Sequence, residues 1–372
     1  MSETSEGIVR EPFDKMERFM KDIFVKVGVP EEDAKICAGV LIDADKRGVD
    51  SHGVGRFKPI YIDRIKAGIQ HPVTNLEVVR EGFTTAVLDG HDGMGHVIAT
   101  KAMRLAIDKA KKYGLGMVAV RNSTHFGIAG HYAIMAAKED MIGFVGTNAR
   151  PSIAPTFGVE NMMGTNPIVF GIPTDEPFTF VTDYATSISQ RGKIEVYDRE
   201  GKELPDGWVI HQDGSYIKDP AEALIALEKG TAALLPVGGG DEATAGYKGY
   251  GYSVVVEVLS SALQAGNYLK MLNGIGPDGE RVPYHLGHYF LAINIAEFIE
   301  PEKFKKQTGD IMRQLRASKK APGHDRIYTA GEKEYIYWTE NKDKGVPLNR
   351  AMQNTIKALR DEYGLTDYEF NF

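Results

Sequence analysis

Seven consecutive residues, Asp50-Ser51-His52-Gly53-Val54-Gly55-Arg56, bring a carboxylate, a hydroxyl, an imidazole and a guanidinium together in a short stretch of chain. An imidazole exchanges protons near neutral pH. A guanidinium grips a carboxylate through two parallel hydrogen bonds. His52 and Arg56 stand four apart, so a helix that begins by Gly53 sets them near one face. The group suits a 2-oxo acid held by its carboxylate at Arg56 while His52 protonates its carbonyl oxygen. The same residues also fit a helix cap by Asp50 or Ser51 beside a solvated histidine.

Further polar clusters punctuate the chain. Ser123-Thr124-His125-Phe126-Gly127 follows a strand pattern and precedes a helical one, where α/β folds place ligands. A helix cap with a half-buried His125 is the alternative. Gly164-Thr165-Asn166-Pro167 and Thr147-Asn148 each offer a hydroxyl and an amide, or ordinary Asx and Ser/Thr turns. Arg150, just beyond Thr147-Asn148, is a candidate ligand for a second anion, or a solvated arginine. Asp183-Tyr184-Ala185-Thr186-Ser187 ends a strand pattern; its carboxylate could hold ribose hydroxyls or shape a turn. In Tyr247-Lys248-Gly249-Tyr250-Gly251 the glycines allow close backbone approach, and Lys248 could meet a pyrophosphate or solvent.

Nucleotide-loop and metal-ligand patterns are incomplete. The P-loop pattern is absent, and Gly90-His91-Asp92-Gly93-Met94-Gly95 has Ile98 where a dinucleotide fingerprint needs its third glycine. His285 and His288 have no acidic residue between them and no i, i+4 histidine partner, so no metal is expected.

The elements that must carry these groups are readable from periodicity. Helices are expected over Phe13–Val27, from Pro30 to Ala44, Phe57–Ala67, Val97–Tyr113, Ala129–Lys138, Ala221–Lys229, Ser253–Gln264, Pro301–Arg316 and Leu348–Tyr363. Strands are expected over Thr85–Asp89, Gly116–Arg121, Ile142–Asn148, Phe178–Thr182 and Phe290–Ile295. Residues 189–219 read as hairpin and loop, and the glycine-rich 238–251 as loop. Short β-branched runs alternating with helical patterns give a mixed α/β fold class. Residues 1–75 with 300–372 form an expected mainly helical domain, and 76–299 an expected α/β cofactor-binding domain.

Composition bounds the function. The chain has 372 residues, 42% hydrophobic and 26% charged, which fits a globular fold of one or two domains and excludes a disordered chain. A net charge of −7 gives no global attraction to nucleic acid or anionic membrane. The one cysteine, Cys37, excludes an internal disulfide and a Cys-based zinc site and suits a reducing compartment. No apolar run is long enough to span a bilayer, and the polar, acidic start lacks the features of a signal peptide. A soluble cytoplasmic protein is expected.

In order along the chain, these motifs resemble the type-2 malate/L-lactate dehydrogenase family. That family also holds sulfolactate and ureidoglycolate dehydrogenases, diketogulonate reductases and cyclic imino-acid reductases. The resemblance is carried by Asp50 to Arg56 with Tyr61 and Arg64 to Gly68, by Asp89 to Gly95 and by Val120 to Gly130. It continues in Gly164 to Pro167, Asp183 to Ser187, Lys193 after Gly192, Leu204 to Trp208 and Tyr247 to Gly251. It implies a non-Rossmann NAD(P)-binding fold of the L-sulfolactate dehydrogenase-like type, α/β (mixed α+β) with helical N- and C-terminal parts. It also implies NAD or NADP as cofactor, a small 2-oxo or 2-hydroxy acid as substrate, and a homodimer with sites near the subunit boundary.

Carried over residue by residue, the resemblance makes His52 the acid/base and Ser51 its hydrogen-bonding neighbour. Arg56 becomes the carboxylate ligand, with Thr165 and Asn166 as further substrate contacts. His125, Phe126, Gly127, Asp183, Tyr184, Ala185, Thr186, Ser187, Lys248, Gly249, Gly331 and Glu332 would line the cofactor. Members differ over whether the histidine at the position of His52 or of His125 gives the proton; the nearby Arg56 favours His52. Two departures stand out. Ala330-Gly331-Glu332 replaces a usual Pro-Gly-Glu, and Lys193 stands where imino-acid reductase relatives carry an aspartate. The stretch Lys319 to Arg326 reads as a loop. The resulting expectation is malate–oxaloacetate interconversion. Lactate, sulfolactate or ureidoglycolate oxidation, imino-acid reduction and a non-catalytic dinucleotide-binding protein are the alternatives.

Overall fold

Pro12 and Pro30 start the first two helices, because their fixed φ suits a helix entrance and neither is asked for an internal N–H. The computed structural model describes residues 7–372, so most of the polar start lies outside the described residues. Strand β1 (Val9–Glu11) leads into α1 (Phe13–Lys26) and α2 (Glu31–Lys46). A single turn α3 (Val54–Arg56), a wide π-helical turn (Phe57–Ile62) and α4 (Asp63–Lys66) follow. The expected regular helix over Phe57–Ala67 is thus broken in geometry. Pro59 has no N–H for the α-helical ladder, and the wide turn accommodates it.

Next come β2 (Glu77–Glu81), β3 (Thr85–Asp89), α5 (Gly95–Tyr113), β4 (Leu115–Ser123), α6 (Ala129–Ala137) and β5 (Met141–Thr147). They are followed by β6 (Ile168–Ile172), β7 (Phe180–Tyr184), α7 (Arg191–Glu200), β8 (Val209–His211), α8 (Pro220–Lys229) and β9 (Ala232–Leu234). The chain closes with α9 (Gly246–Ser261), β10 (Leu286–Asn294), α10 (Pro301–Ala317), α11 (Glu332–Asn341), β11 (Val346–Leu348) and α12 (Arg350–Glu362).

One mixed sheet of seven strands, in the order β2-β3-β4-β10-β5-β6-β7, organises the molecule. Only β3 and β4 run parallel, joined over the sheet by α5; the other pairs are antiparallel. Strand β10 enters last and lies at the centre. It pairs Leu286 with Ser123 of β4 and His288 with Thr147 of β5. The ends of β4 and β5 and the start of β10 therefore meet at one end of the sheet. The apolar faces of α5 and α6 pack on β3, β4 and β10 in a core that includes Met103, Ile107, Val118, Tyr132 and Phe290. A second core joins α1 and α2 to the 54–62 turn, β11 and α12 through Phe19, Phe24, Leu41, Phe57, Leu348 and Ile356.

Two readings of the sequence change. Residues 189–219 contain the unexpected α7, followed by the expected hairpin, in which Ile210 bridges Tyr216 while β8 pairs on its other side with β9. Ile194 is the one fully buried side chain of α7, too sparse a pattern to announce a helix, and Gly201 ends it in the left-handed region. The Tyr247–Gly251 stretch forms the first turns of α9. Its glycines serve packing, since a Cβ on Gly249 would stand 2.2 Å from the Val237 carbonyl oxygen. Helix α9 sets Ser253, Val256, Glu257 and Ser260 inward and leaves Val254, Val255 and Val258 exposed. Among the described residues, no helix is long and apolar enough to cross a membrane.

Candidate active site

The turn that carries Ser51, His52 and Arg56 is held from below by Asp45 of α2. The Val54 N–H donates to Asp45 Oδ2 at 2.9 Å, and a Cβ on Gly53 would fall 2.1 Å from Asp45 Oδ1. Glycine is required there because the backbone rests on the carboxyl group. Burial raises the pKa of Asp45 to about 8, so the group sits under the turn mostly as a neutral acid at pH 7.

Above that support, His52 Nδ1 lies 2.8 Å from Ser51 Oγ. Its ring stacks on His125 with centroids 5.7 Å apart and planes 20° apart. His125 leaves the end of β4, and its Nδ1 receives hydrogen bonds from the Tyr61 hydroxyl at 2.6 Å and the Gly127 N–H at 3.3 Å. Both donors point at Nδ1, so the proton of the neutral ring sits on Nε2. Burial holds both histidines neutral. It lowers His52 to about 4, with the Arg56 charge adding to the effect. It drives His125 well below the usual range, helped by the charges of Arg64 and Arg56.

The two imidazoles face a cleft of about 270 Å³, near the lower end of the ~300–1,000 Å³ common for small-molecule sites. Gly127 to Gly130, entering α6, form one wall. Thr147, Asn148, Thr165 and Leu286 form another. Asp183, Tyr184 and Ala185 of the β7 end, Gln190, Arg47, Gly331 and Glu334 line the remainder. The Gly130 N–H donates to Asp183 Oδ2 at 2.7 Å, which leaves the other carboxylate oxygen for a ligand.

The structure thus gathers Ser51, His52, His125, Phe126, Gly127, Thr165, Asp183, Tyr184, Ala185 and Gly331 around one cleft. Phe126 also stacks into the core on Tyr132 and His288. Arg56 is exposed and is not among the lining residues; its Nε donates at 2.7 Å to the carbonyl of Ser51, which does line the cleft. Other expected residues stand behind the walls. Asn166 is fully buried and donates to the Ser253 carbonyl and to Glu257 Oε2, tying the Thr165 loop to α9. Thr186 donates to the carbonyls of Thr165 and Asn166, and Ser187 bridges to Pro236. Glu332 is held by Arg326, Arg316 and the Thr329 N–H. Lys248 projects from α9 over Tyr247, and neither it nor Gly249 lines the cleft.

Sequence reasoning quoted Tyr61 without giving it a task and missed Arg47, Gln190 and Glu334. Tyr61 follows Arg56 by five residues, so its aromatic-hydroxyl chemistry so near the first motif is the one available signal. Nothing local marks the other three. Thr124, which with Ser123 was the alternative reading as a cap for the helix after it, instead caps α5: it accepts from the Gly95 N–H and donates to the Gly93 carbonyl. The partial glycine fingerprint is therefore packing behind His125.

A family model described as malate/L-lactate dehydrogenase matches residues 12–357. A malate dehydrogenase of Pyrococcus horikoshii is 41% identical over 361 residues, 97% of each chain. An L-sulfolactate dehydrogenase of Methanocaldococcus jannaschii is 40% identical and covers 92% of this chain and 94% of its own length. The crystal structure of malate dehydrogenase from Entamoeba histolytica superposes with a TM-score of 0.93 at 46% identity, over 98% of this chain and 100% of that one.

Proposed function

The chain belongs to the malate/L-lactate dehydrogenase family and is an oxidoreductase acting on CH–OH groups, and from that premise we propose that it interconverts malate and oxaloacetate with NAD. The observation that supports this most directly is the stacked pair of neutral imidazoles, His52 and His125, lining the cleft, with Arg56 bonded to the carbonyl of Ser51 beside them.

The donor set fits a nicotinamide dinucleotide. The N-terminus of α6 opens into the cleft and suits a pyrophosphate. The free oxygen of Asp183 suits ribose hydroxyls. Asp183 lies within electrostatic reach of Glu334, and two carboxylates at that wall disfavour a cofactor with a 2′-phosphate. When bound, the nicotinamide supplies or receives the hydride at the substrate C2.

The chain's own residues do the rest. Arg56 binds and orients the 1-carboxylate. His125, its Nδ1 occupied by two donors, offers Nε2–H as a fixed donor to the C2 oxygen and so polarises it. His52 carries the proton. Its Nδ1 faces a serine hydroxyl that can donate or accept, so either protonation state of the ring keeps a partner. The incoming carboxylate opposes the Arg56 charge and raises the His52 pKa from its low resting value. Thr165 contributes a hydroxyl at the wall, braced from behind by Asn166 and Thr186.

The test is NADH and NADPH oxidation against oxaloacetate, pyruvate and cyclic imino acids. The reading expects oxaloacetate with NADH to give the highest kcat/KM. Faster reduction of cyclic imines, or cofactor binding without turnover on any acid, overturns it.

A further inference from the structure

Helix α9 turns its polar side to the sheet. It buries Ser253, Glu257, Ser260 and Ser261, with Val256 as the one aliphatic side chain among them. Glu257 is only 6% exposed, and among the described residues no cation pairs with it. Its partners are neutral N–H donors. Oε1 accepts from the Leu269 N–H at 2.8 Å and Oε2 from Asn166 Nδ2 at 2.8 Å. The Asn148 amide stands close enough to favour the charged form as well. Burial pushes the pKa of Glu257 up, and these donors oppose the shift.

A carboxyl group this deep is costly unless its oxygens are filled, so the position asks for an acceptor on both arms. A glutamine of the same shape would accept on one arm and set its NH₂ against a donor on the other. Turning the Asn166 amide over would not help, because Nδ2 also donates to the Ser253 carbonyl at 3.1 Å.

The groups held in this way lead to two walls of the cleft. Asn166 stands between Thr165 and Pro167, which both line it. Asn166 has φ 34° and Leu269 φ 48°, left-handed values that non-glycine residues keep only where their neighbours over-determine them. The loop that carries Leu269 also presents the Asn267 carbonyl, which accepts from Asn148 Nδ2 at 3.1 Å. Asn148 lines the cleft, and its Oδ1 accepts from the Gly287 N–H beside Leu286. Thr186 takes the Thr165 carbonyl, whereas the Thr165 hydroxyl makes no hydrogen bond among the described residues and is open to a ligand.

We propose that Glu257 is a positioning residue for the reaction: by accepting from Asn166 and Leu269 it sets where the Thr165 hydroxyl stands against the substrate. Its own carboxyl group does not line the cleft. The proposal rests on the dehydrogenase reading.

The experiment is steady-state reduction of oxaloacetate with NADH by the wild type, Glu257→Gln, Thr165→Val and the double variant. Thermal unfolding checks the fold, and fluorescence reads NADH affinity. Misplacing the wall lowers kcat/KM of Glu257→Gln about 10–10²-fold, with KM raised and NADH affinity within about twofold of the wild type. On the Thr165→Val background the same change costs no more than about threefold, because the group it positions is gone. Should Glu257→Gln fail to fold, Glu257→Asp, which keeps two acceptor oxygens on a shorter arm, takes its place in the cycle. Unchanged KM and kcat in a folded variant of lower Tm make Glu257 a stabilising group only and overturn the proposal. Additive losses in the cycle overturn it too, as does an equal loss of NADH affinity. Should the wild type reduce no 2-oxo acid, the dehydrogenase reading falls, and hydrogen exchange decides the brace. Faster exchange confined to residues 164–168 and 267–270 in the variant upholds it, and unchanged exchange there overturns it.

Discussion

The Tyr61 hydroxyl meets His125 Nδ1 at 2.6 Å, across 64 residues of sequence. The contact sets the tautomer of an imidazole whose other nitrogen is the proposed donor to the substrate oxygen. Tyr61→Phe removes the donor and leaves the ring free to present either nitrogen. Its kcat should fall about tenfold or more while NADH binding, read by fluorescence, stays unchanged. His52→Ala should cost about 10²–10⁴-fold in kcat and abolish the limb of the kcat–pH profile that titration of the His52 imidazole produces. His125→Ala should lower kcat but keep that limb. If the limb disappears with His125 instead, the two roles are exchanged.

Arg56→Lys keeps a charge and loses the fork. The expected result is a higher KM for oxaloacetate with cofactor affinity unaltered. An unchanged KM would remove Arg56 from substrate binding.

Gly53→Ala drives a methyl group into the Asp45 carboxyl and displaces the turn that carries Ser51 and His52. Activity should be largely lost while the rest of the fold survives to lower Tm. Asp45→Asn tests the same support more gently. The wild-type carboxyl ionises with a pKa of about 8 in the fold and near 4 when unfolded, so the unfolded chain gains stability relative to the fold as pH rises from ~4 to ~8. The amide has no such dependence. The difference in Tm, variant minus wild type, should therefore rise across that interval and level off above it.

Buried histidines set the acid limit of the fold. Burial lowers His52 to about 4 and His96 and His288 to about 3, and it holds His125 well below the usual imidazole range. Unfolded, each titrates near ~6.5. Their contribution is complete above that value and is lost as pH falls toward 4, because the unfolded chain takes up protons that the fold refuses. His96 has no hydrogen-bond partner on either ring nitrogen among the described residues, so His96→Phe should flatten the acid limb of a Tm-versus-pH curve. An equally steep limb in the variant would assign it to other groups.

Helix α9 turns Val254, Val255 and Val258 to solvent in the single chain. A second copy of the chain is the proposed cover. Light scattering should give about twice the 41.0 kDa chain mass, and Val255→Glu/Val258→Glu should give the single mass. A wild type fully active at the single mass would refute the dimer.

The site was legible in the sequence where chemistry is concentrated locally. Ser51, His52 and Arg56 share one turn, and His125 follows the end of a strand, so type and spacing already suggested them. Asn166 shows where that reasoning stops. Its amide is as polar as any ligand, but its direction is set by Ser253 and Glu257, about 90 residues away, and it braces rather than binds. Gly249 shows the same for the fold. Its glycine neighbours read as a flexible loop, whereas contact with Val237 makes them the start of a helix.

The late arrival of β10 at the centre of the sheet has a kinetic side. Strands β4 and β5 are adjacent in sequence, separated only by α6, yet they do not touch edge to edge. Both wait for a strand that leaves the ribosome more than a hundred residues later, and until it arrives each holds an unpaired inner edge. Closing the sheet is therefore a long-range event, slow by topology and reserved for a nearly finished chain. A truncation anywhere before residue 286 leaves two half-sheets with nothing to join them.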